Sequence, residues 1–131
     1  MGSASPPLPK PLQGEIWFIK YASDPPEYDG RPVVVVSLDG RNTNDRAESV
    51  LVMSLSTTLK DPLIPSNLRL SPGETGLQEL SELQASSITT VRKSKLRPPR
   101  SQLRRLSRGT IKRLVPLVGL AMGILPEELA E

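Results

Sequence analysis

The sequence predicts a mostly β fold, a small barrel followed by a C-terminal helical segment, and three observations carry that prediction. Two strand-length runs, RPVVVVS at 31–37 and ESVLVMSLSTT at 48–58, are too hydrophobic for strands with one wet face. Turn chemistry punctuates the first two-thirds of the chain at short intervals. After residue 102 the apolar spacing changes to three and four residues. At 131 residues the chain has room for one domain with a modest core, and with Trp17, Phe18, Tyr21 and Tyr28 as its aromatics that core must be aliphatic.

Taken in order, residues 1–13 hold four prolines with Gly and Ser and predict an extended, disordered arm, leaving a single domain over 14–131. GEIWFIKY gives a first strand, with Ile16 and Phe18 on one side and Trp17, Ile19 and Tyr21 on the other. ASDPPEYDG (22–30) is a loop by composition, long enough to carry function. The valine run follows as a strand buried on both faces, with Asp39-Gly40 as its closing turn. In the third strand Val50, Val52 and Ser54 share one face while Leu51, Met53 and Leu55 share the other; strands this apolar favour closure into a barrel, which hides edges. A short strand is expected near SNLRL (66–70), and SELQASSITTVRKSKL (81–96) supplies one or two more. Leu103, Leu106, Thr110, Leu114, Leu117, Val118, Ala121 and Leu125 then mark an amphipathic helix, which Pro116 should kink or restart, and Pro126 opens a short terminal helix.

Composition excludes several chemistries. Without Cys or His there is no disulfide, no thiolate nucleophile, no imidazole acid or base and none of the usual zinc ligand sets. No N-terminal signal pattern is evident, and the longest apolar stretch (114–125) is too short and interrupted to span a bilayer, so a cytoplasmic protein without a membrane segment is expected. The net charge of +3 conceals an asymmetry: residues 1–82 carry seven basic and eleven acidic side chains, whereas 83–126 carry ten Lys or Arg and no acid. Such a block points to a polyanionic partner, its bland counterpart being a solvated helix face.

The ordered blocks GEIWFIKY, GRPVVVVS, ESVLVMSLSTT and GLQELSELQASSITTVRKSKL together resemble the MazF/PemK family of toxin endoribonucleases over residues 14–96, with a looser match to the family's closing helix. The resemblance implies an SH3-like twisted barrel of the PemK/CcdB kind over 14–96, a basic helical segment over 97–131, and a homodimer whose groove takes single-stranded RNA. It further implies a cognate antitoxin protein as partner. The implied reaction is attack of a ribose 2′-hydroxyl on the adjacent phosphate, leaving a 2′,3′-cyclic phosphate and a 5′-hydroxyl, with no metal or cofactor.

That chemistry needs a cation at phosphorus, a proton acceptor and a proton donor. Arg31 matches the family's functional Arg in the Arg-Pro pair, and its fork suits phosphate oxygens; read blandly, it opens a strand and pairs with Asp29 or Glu27. Ser56 lies where the family carries a Thr after its third strand, with Thr57 the alternative if the register slips by one. Glu27 is near the family's loop Glu, about one residue displaced relative to Arg31. Where the family often shows an acid, Gln, then Ile-Arg-Thr, this chain has Ser86, Ser87, Ile88, Thr89 and Thr90, so either Asp24, Glu27 or Asp29 serves, or cleavage is slow, or catalysis is lost. Arg92, Lys93, Lys95 and Arg97 are candidate RNA-binding cations, which position phosphates without reading sequence, and Tyr28 is a candidate stacking residue. Two further readings remain open: a catalytically impaired RNA-binding or regulatory module, and a gyrase-targeting toxin on a related barrel.

Overall fold

The computed structural model describes residues 7–27, 30–99 and 102–130. Among these described residues six strands form one antiparallel sheet: β1 (Ile16–Ile19), β2 (Arg31–Val35), β3 (Ser49–Ser56), β4 (Asn67–Leu70), β5 (Ser81–Arg92) and β6 (Leu96–Arg97), in the spatial order β4-β5-β3-β2-β1-β6. Two one-turn helices, α1 (Asp39–Asn42) and α2 (Pro72–Thr75), punctuate the strands, α3 (Arg108–Ala121) follows them, and Pro126–Ala130 is a 3₁₀ turn. No helix among the described residues is long and apolar enough to cross a membrane.

The alternation read from the sequence sorts side chains onto two faces. Ile16, Val34, Met53, Leu55, Leu70 and Leu83 form one core, which α3 covers with Ile111 and Leu114. Trp17, Ile19, Val33, Val35, Val50, Val52 and Leu96 form the second on the other face. With both faces covered, the three valines of β2 need no wet side.

The sheet curls but is not closed into a barrel, which corrects the expected closure. Only Lys93–Lys95 links β5 to β6. Such a link reaches about 13 Å at full stretch, against roughly 19 Å for four strand spacings laid flat, so the sheet must wrap around the second core. The edges β4 and β6 have four and two residues and share no ladder, so closure stops short.

Three local expectations change. Asp39-Gly40 opens a helical turn rather than a tight hairpin, because Asn42 turns inward and exchanges hydrogen bonds with Ser37. The C-terminal helix starts at Arg108, capped by the Ser107 hydroxyl accepting from the Thr110 N–H at 3.1 Å; Leu103 and Leu106 reach the first core from an extended segment that mimics helical spacing. Pro116 does not end α3. Pro116 and Lys112 are exposed, so the Lys112 carbonyl that loses its partner can turn to water. Of the N-terminal arm, Pro11 is buried and Gln13 bonds Asp39 and the Val36 carbonyl, while residues 1–6 lie outside the described residues.

β5 runs unbroken through a bulge. Val52 pairs with Thr89 and Ser54 with Gln84, so four residues of β5 stand opposite Met53. The Ser87 hydroxyl bridges this gap: it accepts from the Ser54 N–H at 2.8 Å and donates to the Gln84 carbonyl at 2.6 Å, where the register shifts.

Candidate functional site

The register assembles one polar row at the end of the second-core face. Ile19 pairs with Arg31, Ser56 with Glu82 and Glu82 with Arg69. The β2–β3 ladder pairs Val33 with Ser54 and, continued by two residues, sets Arg31 opposite Ser56. Directly opposed residues share a face, so Arg31, Ser56, Glu82 and Arg69 stand side by side across four strands. Arg31, Ser56 and Thr57 line a surface cavity of about 310 Å³ together with Pro32, Ser54 and Leu55.

Arg31 enters this row from a glycine that no other residue replaces freely. Gly30 has φ +107°, and a Cβ there would lie 2.8 Å from the Ile19 carbonyl oxygen. Pro32 then fixes the next φ. The Arg31 guanidinium makes a two-pronged pair with Asp24, Nη1 to Oδ2 at 3.0 Å and Nη2 to Oδ1 at 3.3 Å, and lies 5.1 Å from the Tyr21 ring centroid. The Asp24 carboxylate also accepts the Tyr21 N–H at 2.8 Å. The Arg31 hydrogen bond, with that backbone bond, holds the Asp24 carboxyl below its ordinary pKa. Asp24 and Tyr21 thereby hold a half-exposed cation at the mouth of the cavity.

A second carboxylate anchors the far side. Glu82 is fully buried. Burial alone raises its pKa, but the Lys60 N–H at 2.9 Å, Asn67 Nδ2 at 3.1 Å and Arg69 Nε at 3.2 Å overcome that and hold the carboxyl below its ordinary value. Ser56 thus lies between two guanidiniums, each fixed by its own carboxylate.

The predicted residues divide. Arg31, Ser56 and Thr57 come together, and the Ser56 hydroxyl accepts from the Thr58 N–H at 3.1 Å. Glu27 is exposed on the loop that carries Asp24. Tyr28, expected to stack a base, lies outside the described residues, as do Asp29 and Arg100. Lys95 and Arg97 line a second cavity of about 400 Å³ with Lys20, Tyr21 and Asp24, so the two cavities meet at the Arg31–Asp24 pair. Arg92 pairs with Ser49, at the end of the β3–β5 ladder away from Ser56. Lys93, expected on the RNA-binding surface, is not on it: the side chain is buried, and Nζ donates to the Arg41 and Asn44 carbonyls at 3.1 and 2.8 Å. Burial lowers its pKa. The basic residues of α3 belong to a helix on the other face of the sheet.

Sequence reasoning named Asp29 or Glu27 as the pairing partner of Arg31, without Asp24, and missed Glu82 and Arg69 altogether. The one signal for Glu82 was a carboxylate at an alternation position beside Leu83, but its partner thirteen residues earlier needed the register. Ser87, noted as a departure at a functional position, has a structural task in the bulge.

A family model described as "PemK-like, MazF-like toxin of type II toxin-antitoxin system" matches residues 12–118. No curated protein sequence matches the chain. Among solved structures, an endoribonuclease from a mycobacterial species is similar with TM-score 0.66 and 23% identity, covering 91% of this chain and 96% of that one. A mycobacterial endoribonuclease in complex with its cognate antitoxin gives 0.63 and 22%, covering 86% and 95%. A MazE–MazF structure from Deinococcus radiodurans gives 0.63 and 16%, covering 88% and 98%. At these identities the structures establish the shared fold.

Proposed function

The chain belongs to the PemK-like, MazF-like toxin family of type II toxin–antitoxin systems, and from that premise we propose that it is an endoribonuclease that cuts single-stranded RNA by 2′-hydroxyl attack, without a metal. The observation that carries this reading is the half-exposed Arg31, gripped by Asp24 and set opposite Ser56 at one cavity. A scissile phosphate seated there meets a planar cation, which stabilises the charge that develops on its non-bridging oxygens. Ser56, or Thr57 beside it, donates a hydroxyl hydrogen bond to the same phosphate. The 2′-oxygen forms its bond to phosphorus as the bond to the 5′-oxygen breaks, the 2′-proton passing to a carboxylate and another proton reaching the leaving oxygen. Asp24 is committed to Arg31, so Glu27 on the same loop is the proton acceptor in this scheme. Lys95 and Arg97 extend the phosphate path past Tyr21. Its cognate antitoxin would cover this surface, and the active form is a homodimer.

A second reading, an RNA-binding module without cleavage, is favoured by one observation: a carboxylate already occupies the Arg31 fork and must share or yield it before a phosphate can enter. EDTA-treated protein incubated with a long single-stranded RNA, followed by mapping of 5′ ends, separates the two. Discrete cuts with 5′-hydroxyl ends, reduced at least about 100-fold in Arg31→Ala, are expected. Bound but intact RNA would establish the second reading, and topoisomerase inhibition without RNA scission would replace both with a gyrase-directed toxin.

A further inference from the structure

Arg69 has a geometry that a stapling role leaves unexplained. Its Nε donates to the buried Glu82 carboxylate at 3.2 Å and Nη2 to the Lys60 carbonyl at 2.8 Å. Two of five donors are thereby committed, and three have no protein partner among the described residues. The side chain is 38% exposed beside a carboxylate that is completely covered. Glu82 is also hydrogen-bonded by Asn67 and the Lys60 N–H, so its charge is shared among three donors rather than spent on Arg69. A staple that only pinned the loop at Lys60 would need the Glu82 bond to the Lys60 N–H and no outward guanidinium.

We propose that Arg69 is a second phosphate-binding residue of the same site, with buried Glu82 as its positioning residue; this rests on the RNA-directed reading above. The row Arg31, Ser56, Glu82, Arg69 places Arg69 three strands from Arg31. At the usual strand spacing their backbones stand about 14 Å apart, and each guanidinium is held by its own carboxylate instead of reaching toward the other. Each therefore takes a different phosphate of one strand lying across the sheet, with Ser56 between them. Both guanidiniums are oriented by a carboxylate shielded from solvent, so neither needs to be ordered when RNA arrives. Arg69 contributes affinity and register along the strand, not base readout.

The test is fluorescence anisotropy with a labelled, fully 2′-O-methylated oligoribonucleotide, which binds without being cut, across a salt series. Arg69→Gln alone leaves Glu82 buried with one donor fewer and can unfold the chain, so the deciding variant is the double Arg69→Gln, Glu82→Gln, whose fold is checked by the Trp17 emission melt. We expect binding weakened about tenfold and the slope of log K against log salt reduced by about 0.7, the value for one phosphate contact on a single strand. An unchanged slope in the folded double variant, alongside a reduced slope in Arg31→Ala, overturns the Arg69 assignment and leaves the RNA reading standing. Wild-type protein that fails to bind the oligonucleotide overturns both. Binding with the expected Arg69 slope but no cleavage of ordinary RNA upholds Arg69 and removes the nuclease activity alone.

Discussion

Substituting Ser87 by Ala tests whether one hydroxyl maintains the bulge that shapes the site. The Ser87 Oγ accepts the Ser54 N–H at 2.8 Å and donates to the Gln84 carbonyl at 2.6 Å, both at the point where the β3–β5 register shifts. A typical hydrogen bond contributes about 1 kcal/mol net, and a buried group left unsatisfied costs about 1–3 kcal/mol. Ser54 and Gln84 are only half-buried, so water recovers part of this, and a loss of about 2–3 kcal/mol is expected for the two bonds together. For a domain of this length that corresponds to a Tm lower by roughly 10 °C. Urea unfolding followed by the single Trp17, which is buried in the second core, reads the loss directly as a lower midpoint at constant slope. Ser86→Ala is the control: Ser86 is exposed and makes no side-chain hydrogen bond across the gap, and its substitution should change stability by less than about 0.5 kcal/mol. Equal effects at 86 and 87 would refute the assignment of the gap to Ser87. Because Ser54 lines the cavity with Arg31, Ser87→Ala should also weaken RNA cleavage beyond its effect on folding.

Other outcomes follow from the same geometry. Gly30→Ala forces an L side chain to φ +107° with its Cβ against the Ile19 carbonyl, and should cost about 1–3 kcal/mol in denaturant unfolding while displacing Arg31 and lowering cleavage. Asp24 has a folded pKa below its ordinary 3.8, so its contribution to stability is complete above about pH 4 and is lost as pH falls through the depressed value. Acid unfolding of Asp24→Asn should therefore be less steep than that of the wild type below pH 3.8; parallel curves would show that the Arg31 pair contributes nothing to folding. Lys93 works in the opposite range. Its folded pKa lies below the ordinary 10.5, so the folded state binds fewer protons than the unfolded one and stability should rise with pH in the window just below 10.5, a rise that Lys93→Met abolishes in alkaline urea titrations.

Much of the fold was legible because its signals are local. Alternation in GEIWFIKY and ESVLVMSLS assigned each side chain to its face, and the structure keeps Met53 and Leu55 in one core and Val50 and Val52 in the other. Proline and glycine marked the loops, and the ordered blocks carried the family likeness. The helix start failed because Leu103 and Leu106 keep helical spacing while bound by other constraints: Leu106 N–H donates to the Gly14 carbonyl, drawing that segment against the residues before β1 until Ser107 caps the helix.

What the sequence could not determine depends on register and burial, which join residues far apart in the chain. The alternation of β5 does not say that Glu82 lies opposite Ser56 and Arg69, nor that a bulge intervenes before Thr89, because a strand's pairing partner is set by the packed sheet and not by its own side chains. Charge counting placed Lys93 with the candidate RNA-binding cations, yet the three-residue crossing from β5 to β6 carries it inward to the Arg41 and Asn44 carbonyls at the end of α1. The same distinction explains the basic block. Composition determines that the charges cluster in one stretch of chain, but the sheet brings Lys95 and Arg97 to the cavity beside Asp24 and places α3 on the opposite face.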